Sequence, residues 1–222
     1  MSNNKILFGR KANETNFAIA CLSPDRTHVS GCLLHRMQLA DHQPLTDDTI
    51  VIIVGTNRRN SMSRRIADYY HTILANLNAD SFILDLSGLP ADFTATALYE
   101  HTGKNEAFNQ YKDIVERARK MVFIVPEYNN SYPGVLKAFI DGMTYPSGLS
   151  RKKVALVGLS SNHQGGALAL SHLNDIFSYL NTNTLALRVK LANIKSYWKE
   201  NAIDNDLYNQ LLRDQARQLI EF

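Results

Sequence analysis

The chain has 222 residues, of which 45% are hydrophobic and 20% are charged, and its formal net charge is +3. This length and composition are typical of one globular domain with a sizeable buried core. The basic residues are scattered rather than clustered, which disfavours a nucleic-acid-binding protein, and no stretch approaches the ~20 apolar residues that a membrane-spanning helix needs.

The first 48 residues do not share the pattern of the remainder, and we treat them as an N-terminal extension. Residues 5–8 and 16–20 are candidates for short strands. The sequence leaves open whether the extension is a packed hairpin, an arm toward a partner subunit or a disordered lead. Only Cys21 and Cys32 are present, which argues against a disulfide scaffold or a cysteine metal site. The first residues lack the apolar core of a signal peptide, so we expect a cytoplasmic protein.

From residue 49 to residue 222, predicted strands and helices alternate. Continuous β-branched runs such as 50–54 indicate strands that are buried on both faces of a parallel sheet. The predicted strands cover 50–54, 81–85, 121–125, 154–158 and 184–189, and the predicted helices cover 61–77, 106–119, 133–145, 165–180 and 204–219. This order predicts an α/β fold, a three-layer α/β/α sandwich around a five-stranded parallel sheet, with a polar connection at 91–103.

Two predicted helices carry patterns that can be compared with a structure. The last helix places Leu207, Leu211, Leu212 and Ala216 on one apolar stripe. In the helix after the third strand, Lys137 and Asp141 are one turn apart. They are equally consistent with an ion pair on the helix surface and with a role in subunit contacts.

The connection after the first strand is rich in groups that bind phosphate. Thr56, Ser61 and Ser63 bring hydroxyl groups to the start of a helix, where unpaired N–H groups and the positive end of the helix dipole attract anions, and Arg58 adds a charge. The alternative is an ordinary helix cap by Ser61. Neither a G-x-G-x-x-G nor a G-x-x-x-x-G-K-[ST] motif occurs, which disfavours a Rossmann dinucleotide site and a P-loop ATPase.

The run from Pro126 to Asp141 follows the third predicted strand, at a sheet edge where open α/β folds bind ligands. It resembles the PEYN-x-S-x-P-G-x-L-K-x-x-I-D signature of the NADPH-dependent FMN reductase family. Residues 55–63 resemble the G-[ST]-x-R-x-x-S-x-[NS] phosphate motif of the same family. The resemblance covers residues 49–190 and implies a flavodoxin-like fold that carries FMN.

The resemblance also implies which residues contact FMN. Tyr128 would lie against an aromatic face and Asn129 would meet a heteroatom edge, whereas Glu127 would line the ring or brace the loop. The expected FMN contacts come from three loops and are Thr56, Arg58, Ser61, Met62, Ser63, Pro126, Glu127, Tyr128, Asn129, Ser160, Ser161, Asn162 and His163.

The third of these loops opens a helix at a Gly-Gly pair, but His163 departs from the small residues that the family carries there. It either influences the reduced flavin or the acceptor, or it is a solvent-facing loop histidine. The other histidines form no ligand-like spacing with it, so no metal site is expected.

The implied function is an FMN-dependent NAD(P)H oxidoreductase. NADPH or NADH would pass a hydride to bound FMN in a ping-pong cycle, and a small acceptor such as a flavin, a quinone, an azo dye, a nitro compound or chromate would then be reduced. We assign no catalytic residue, because the flavin carries the chemistry. The family implies a homodimer or homotetramer, and Arg58, Arg59 and Arg64 are candidates for contact with a 2′-phosphate. The alternatives are a flavodoxin-like one-electron carrier, which the slightly basic charge disfavours, and a degenerate member that no longer binds flavin.

Overall fold

Residues 45–222 are described in the computed structural model of the chain, and they form a parallel sheet with helices on both faces. Residues 1–44 of the predicted N-terminal extension, which include Cys21 and Cys32, lie outside the described residues. The main strands are β1 Ile50–Val54, β2 Ser81–Asp85, β3 Lys120–Pro126, β4 Lys153–Leu159, β5 Asn183–Thr184 and β6 Val189–Leu191.

The sheet order is β2-β1-β3-β4-β5, and β6 also pairs with β4. All of these pairings are parallel. This is the flavodoxin-like order, and it confirms the predicted fold class.

The helices cover the two faces of this sheet. They are α1 Met62–Asn76, α2 Phe93–Thr96, α3 Glu106–Arg117, α4 Gly134–Asp141, α5 Ala167–Tyr179, α6 Ile194–Tyr197 and α7 Asp206–Glu221. Helices α1 and α7 pack on one face of the sheet. There, Ile66, Tyr70 and Leu212 form a buried core with every second side chain of the strands. Aromatic side chains fill the opposite face, where Phe123 of β3 packs on Phe177 of α5 with ring centroids 4.9 Å apart.

The fifth strand is split, which the sequence did not predict. The predicted run 184–189 becomes β5 and β6, which pair with opposite ends of β4 and leave the middle of that strand without a complete neighbour. Gln215 of α7 fills the gap: its amide nitrogen donates to the carbonyl oxygens of Leu156, at 3.0 Å, and Leu187, at 2.7 Å. The fully buried Gln215 side chain also accepts a hydrogen bond from the Tyr70 hydroxyl, and burial raises the pKa of that hydroxyl.

Two predicted helix features were wrong. The helix predicted for 133–145 is α4, which ends at Asp141, because Gly142 caps it. On α7, Leu207 leaves the predicted stripe and is 60% exposed. It sits in the first turn, and the buried stripe begins one turn later with Leu212 and continues through Ala216 to Leu219.

Two further regions contain more structure than predicted. The connection 91–103 includes α2 and a 3₁₀ turn at Tyr99–His101, and it buries Phe93 against Phe108. After the main sheet, β7 Trp198–Lys199 and β8 Ala202–Ile203 form a separate antiparallel hairpin.

The ion pair between Lys137 and Asp141 forms within α4, with oxygen–nitrogen distances of 2.7 and 2.8 Å. Its hydrogen bonds raise the pKa of the Lys137 ammonium group. The predicted ion pair is therefore confirmed, whereas a role of the two residues in subunit contacts stays a prediction.

Candidate functional site

The carboxyl ends of β1 and β3 mark the point where the strand order reverses, which is where open α/β sheets bind ligands. A cavity of about 570 Å³ opens there, and we call it the switch-point cavity. Its volume is within the range of small-molecule and cofactor sites. Four chain segments line it: the β1–α1 loop with the first turn of α1, the β3–α4 loop, the β4–α5 loop, and α6 with the start of β7.

The first wall is the start of α1. Ser61 is the N-cap, and its hydroxyl accepts a hydrogen bond from the Arg64 backbone N–H at 3.1 Å. The capping interpretation of Ser61 is therefore correct. Because a helix leaves its first four N–H groups without intrahelical partners, the amides of Met62 and Ser63 stay available to a ligand.

Ser63 provides a second, independent sign of a ligand at this wall. Its side chain lines the cavity and is only 1% exposed, yet its hydroxyl oxygen has no hydrogen-bond partner among residues 45–222. Buried hydroxyl groups in proteins normally form a hydrogen bond, so a buried hydroxyl without one indicates a missing partner. A phosphate oxygen bound at the start of α1 would be a fitting partner.

The second wall is the β3–α4 loop, which folds into a tight turn. Tyr128 and Ser131 exchange two backbone hydrogen bonds of 2.8 and 3.0 Å. The two residues between them, Asn129 and Asn130, have φ values of 49° and 63°, as a type I′ turn requires. Asparagine tolerates positive φ better than most side chains, which explains the Asn-Asn pair.

A hydrogen bond joins the first two walls. The hydroxyl groups of Tyr128 and Thr56 lie 2.9 Å apart, and Thr56 is fully buried beneath the cavity. The Thr56 hydroxyl also accepts from the Arg58 backbone N–H at 3.2 Å. Thr56 therefore supports the loop that carries Arg58 and fixes the ring of Tyr128, rather than lining the cavity itself.

Glu127 connects the second wall to the third. One carboxylate oxygen accepts from the Asn162 side-chain amide and the other from the Gly166 backbone N–H, both at 3.1 Å. Gly166 is the N-cap of α5, where a negative charge is favourable. Since both oxygens of Glu127 are occupied, the contacts support its interpretation as a brace.

The third wall is a compact turn after β4. The Ser160 hydroxyl donates to the Asn162 carbonyl oxygen and accepts from the Gly165 N–H, each at 2.8 Å. Gly165 and Gly166 have φ values of 61° and 79°, and a Cβ atom on Gly165 would come within 3.0 Å of the backbone at Lys190 and Ala192. The Gly-Gly pair is thus needed for both the conformation and the close approach.

The fourth wall was not predicted. Ile194, Lys195 and Trp198 line the cavity from α6 and the start of β7. Arg59, Asn60, Arg65 and Leu159 were also not among the expected contacts. The one signal in the sequence for this wall is that Trp198 is the only tryptophan of the chain.

The cavity has a strongly positive lining. Arg58, Arg59, Arg65 and Lys195 face a single carboxylate, that of Glu127, among the described lining residues. None of the four forms an ion pair with a residue of the described range, whereas Arg64 pairs with Asp68 at 3.0 Å and Asp85 at 3.3 Å. Burial lowers the pKa of Arg64, but its bonds to these carboxylates raise it by more. Arg64 is therefore already neutralised, and the other cations are free to meet an anion.

The structure brings nine of the thirteen expected contact residues together around the cavity. These nine are Arg58, Ser61, Met62, Ser63, Pro126, Glu127, Tyr128, Ser160 and Ser161. Among the described residues, Thr56, Asn129, Asn162 and His163 do not line it. Asn129 is at the exposed tip of the turn, Asn162 holds Glu127, and His163 is exposed to solvent. Contact of the thirteen with FMN stays a prediction.

Between residues 45 and 222, no helix is long and apolar enough to cross a lipid bilayer. The same residues contain no group of three or more acidic, histidine or cysteine side chains placed to hold a metal ion.

Comparison with known proteins gives consistent matches. The model of the NADPH-dependent FMN reductase family matches residues 49–194. A 2-hydroxy-1,4-benzoquinone reductase from Burkholderia sp is 33% identical over 140 residues, which are 59% of this chain and 70% of that protein. An NAD(P)H-dependent FMN reductase from Pseudomonas aeruginosa is 30% identical over 145 residues, which are 63% of this chain and 71% of that protein.

Solved structures share the fold. The flavoenzyme NAD(P)H:(acceptor) oxidoreductase FerB from Paracoccus denitrificans superposes with a TM-score of 0.65 at 21% identity, covering 78% of this chain and 96% of that one. A flavodoxin from the domain Archaea superposes with a TM-score of 0.52 at 11% identity, covering 78% and 96%. At these identities the likeness concerns the flavodoxin-like fold alone.

Proposed function

Because the chain belongs to the NADPH-dependent FMN reductase family, we propose that it is an oxidoreductase that holds FMN in the switch-point cavity and transfers electrons from NADPH or NADH to a small organic acceptor. The family membership rests on a match over residues 49–194, well over half of the chain.

The observation that carries the proposal is the unpaired Ser63 hydroxyl beside the free amides of the first turn of α1. A phosphate monoester is a dianion near neutral pH and needs several donors plus positive charge. The Ser63 hydroxyl, the amides of Met62 and Ser63, and the Arg58 guanidinium supply both. The residues present therefore fit the phosphate group of FMN.

The remaining walls would position the flavin rather than react with it. When bound, FMN supplies the redox chemistry, taking two electrons from the nicotinamide nucleotide and giving them to the acceptor. Tyr128, held by Thr56, would keep an aromatic ring at a fixed place in the cavity wall. Glu127 would keep the second and third loops together, and because both of its oxygens are occupied, we assign it no acid–base role.

We propose a planar, electron-poor molecule as the acceptor, with a quinone first and a flavin or an azo compound next. The support comes from the relatives, which include quinone reductases from Burkholderia sp and Pseudomonas putida and an NADPH azoreductase from Bacillus sp. Tyr128 is 36% exposed at the cavity, so an aromatic ring is available to an acceptor there.

We also propose that the protein assembles as a homodimer or homotetramer in the cytoplasm. Exposed tyrosines support an assembly: Tyr145 and Tyr179 stack with ring centroids 6.5 Å apart and are 69% and 77% exposed. Tyrosine is enriched at protein–protein interfaces. The proposed use of NADPH or NADH as electron donor supports the cytoplasm.

The test is an anaerobic titration of the purified protein with NADPH and NADH after FMN has been added. We expect the visible flavin band to bleach after one equivalent of nucleotide, and a quinone to restore it. A protein that binds FMN and is reduced by neither nucleotide would instead be an electron carrier. A protein that binds no FMN would contradict the cavity assignment itself.

A further inference from the structure

We propose that Lys195 and Trp198 form a fourth wall of the FMN site, in which Lys195 contacts the phosphate group and Trp198 covers that end of the cofactor. The inference rests on the proposed function. It concerns a part of the chain that follows the family match, since the match ends at residue 194.

The position of the two side chains is the first argument. Both line the switch-point cavity, as do Arg58 and Ser63, to which the proposed function assigns the phosphate group. Trp198 is half-buried, and its indole ring meets the Tyr69 ring of α1 edge to face, with centroids 6.3 Å apart. The tryptophan is thus held over the same helix whose first turn supplies the phosphate donors.

The rigidity of the segment is the second argument. The Tyr69 hydroxyl donates to the Asn209 side chain at 2.9 Å, and the Asn209 amide donates to the Ile203 carbonyl oxygen at 2.8 Å. The Tyr208 hydroxyl donates to the Ala192 carbonyl oxygen at 3.1 Å. These bonds fasten both ends of the segment to α7 and join α7 to α1, so the segment is a preformed wall. A preformed wall adds affinity without an ordering cost on binding.

Charge is the third argument. Lys195 is exposed and has no ion pair or hydrogen bond with any residue of the described range, although it lines a cavity. Lys199 of β7, four positions after Lys195, differs, because its ammonium group pairs with Asp204 and it does not line the cavity. The two lysines therefore form a matched pair in which only one is placed to meet a bound anion.

The experiment compares Lys195→Ala with Lys199→Ala, which remove the same charge from the same segment. Binding of FMN and of riboflavin, which lacks the phosphate, is measured by equilibrium dialysis of the apoprotein. We expect K195A to raise the Kd for FMN about tenfold and that for riboflavin by less than about twofold, since one charge-assisted bond to phosphate is lost. We expect K199A to leave both Kd values within about twofold of the wild type.

The role of Trp198 is tested in the unmodified apoprotein, because emission excited at a wavelength that tyrosine does not absorb comes from the one tryptophan of the chain. We expect inorganic phosphate, which absorbs none of the tryptophan emission, to shift the emission spectrum. In K195A this shift should need about tenfold more phosphate.

Equal FMN affinities of K195A and K199A would overturn the role of Lys195, and an emission spectrum that phosphate leaves unchanged would overturn that of Trp198. In both cases FMN would still bind, and the proposed function would stand. Absence of any FMN binding to the wild type would instead overturn the proposed function, and this inference with it.

Discussion

Two serines, Ser61 and Ser63, lie two positions apart at the start of α1 and have different physical roles. The Ser61 hydroxyl accepts a hydrogen bond from the Arg64 N–H and so stabilises the helix. The Ser63 hydroxyl is buried without a partner in the described part of the chain, which costs free energy in the apoprotein. A residue that lowers stability where a ligand would bind is typical of a functional site.

Replacing each serine by alanine should separate these roles. We expect S61A to lower the free energy of unfolding of the apoprotein by about 1 kcal/mol, because a helix cap is lost. We expect S63A to leave that free energy unchanged or to raise it by up to about 1 kcal/mol, while the Kd for FMN rises about tenfold. Urea denaturation and flavin titration measure the two quantities. A loss of stability in S63A with unchanged FMN affinity would show that its hydroxyl serves the fold.

Among the elements, the split fifth strand depends on one side chain of a distant helix. The Gln215 side chain donates hydrogen bonds to two carbonyl oxygens in the gap between β5 and β6 and accepts one from the Tyr70 hydroxyl. Gln215 itself is not exposed to water. Loss of any of these hydrogen bonds would lower the free energy of unfolding, because a polar group would be left without a partner and away from water.

Gln215→Leu should therefore destabilise the protein by about 2–5 kcal/mol, since three buried polar groups lose their partner. The control is Gln218→Leu on the exposed side of the same helix, for which we expect a change within about 0.5 kcal/mol. Urea denaturation of both variants gives the comparison. A loss below about 1 kcal/mol in Q215L would mean that water or a rearranged strand replaces the glutamine.

The same elements show how far the sequence was informative. The first four strands were predicted to within one residue at each end, because continuous apolar runs buried on both faces leave little ambiguity. The break in the fifth strand was not predicted, since it depends on Gln215, about 30 residues further along the chain. The hairpin was missed because its turn uses Glu200 and Asn201, with φ values of 49° and 61°, instead of the usual Asn-Gly.

In the candidate site, too, some parts could be predicted from the sequence and others could not. Its first three walls follow strands whose ends were recognisable, so their loops and the Ser61–Ser63 segment were identified from sequence. The fourth wall depends on the packing of Trp198 against Tyr69, a contact across 129 positions that no local pattern reveals.

At the scale of the whole molecule, the cavity joins segments from residue 58 to residue 198, so that a bound ligand contacts connections that follow four different strands. Ligands that bind only the folded state stabilise it by mass action. A ligand in this cavity would therefore oppose the unfolding of the entire sheet rather than of one loop.

We expect FMN at about 100 times its Kd to add about 2.7 kcal/mol to the free energy of unfolding, which raises Tm by roughly 5–10 °C for a chain of this length. Riboflavin at the same concentration should raise Tm by less, because it lacks the phosphate. Differential scanning calorimetry of the apoprotein measures both. Equal shifts by the two flavins would contradict a phosphate site in the cavity.

Among the strands of residues 45–222, β7 and β8 pair only with each other and share no ladder with the main sheet. A change of length at the turn between them therefore shifts no strand of the main sheet, whereas an inserted residue inside β3 or β4 would turn a whole row of side chains to the wrong face. The turn at Glu200 and Asn201 is consequently a place where residues can be inserted or removed without a change in sheet register, whereas Ile203 of β8 is part of the buried core and has to be kept.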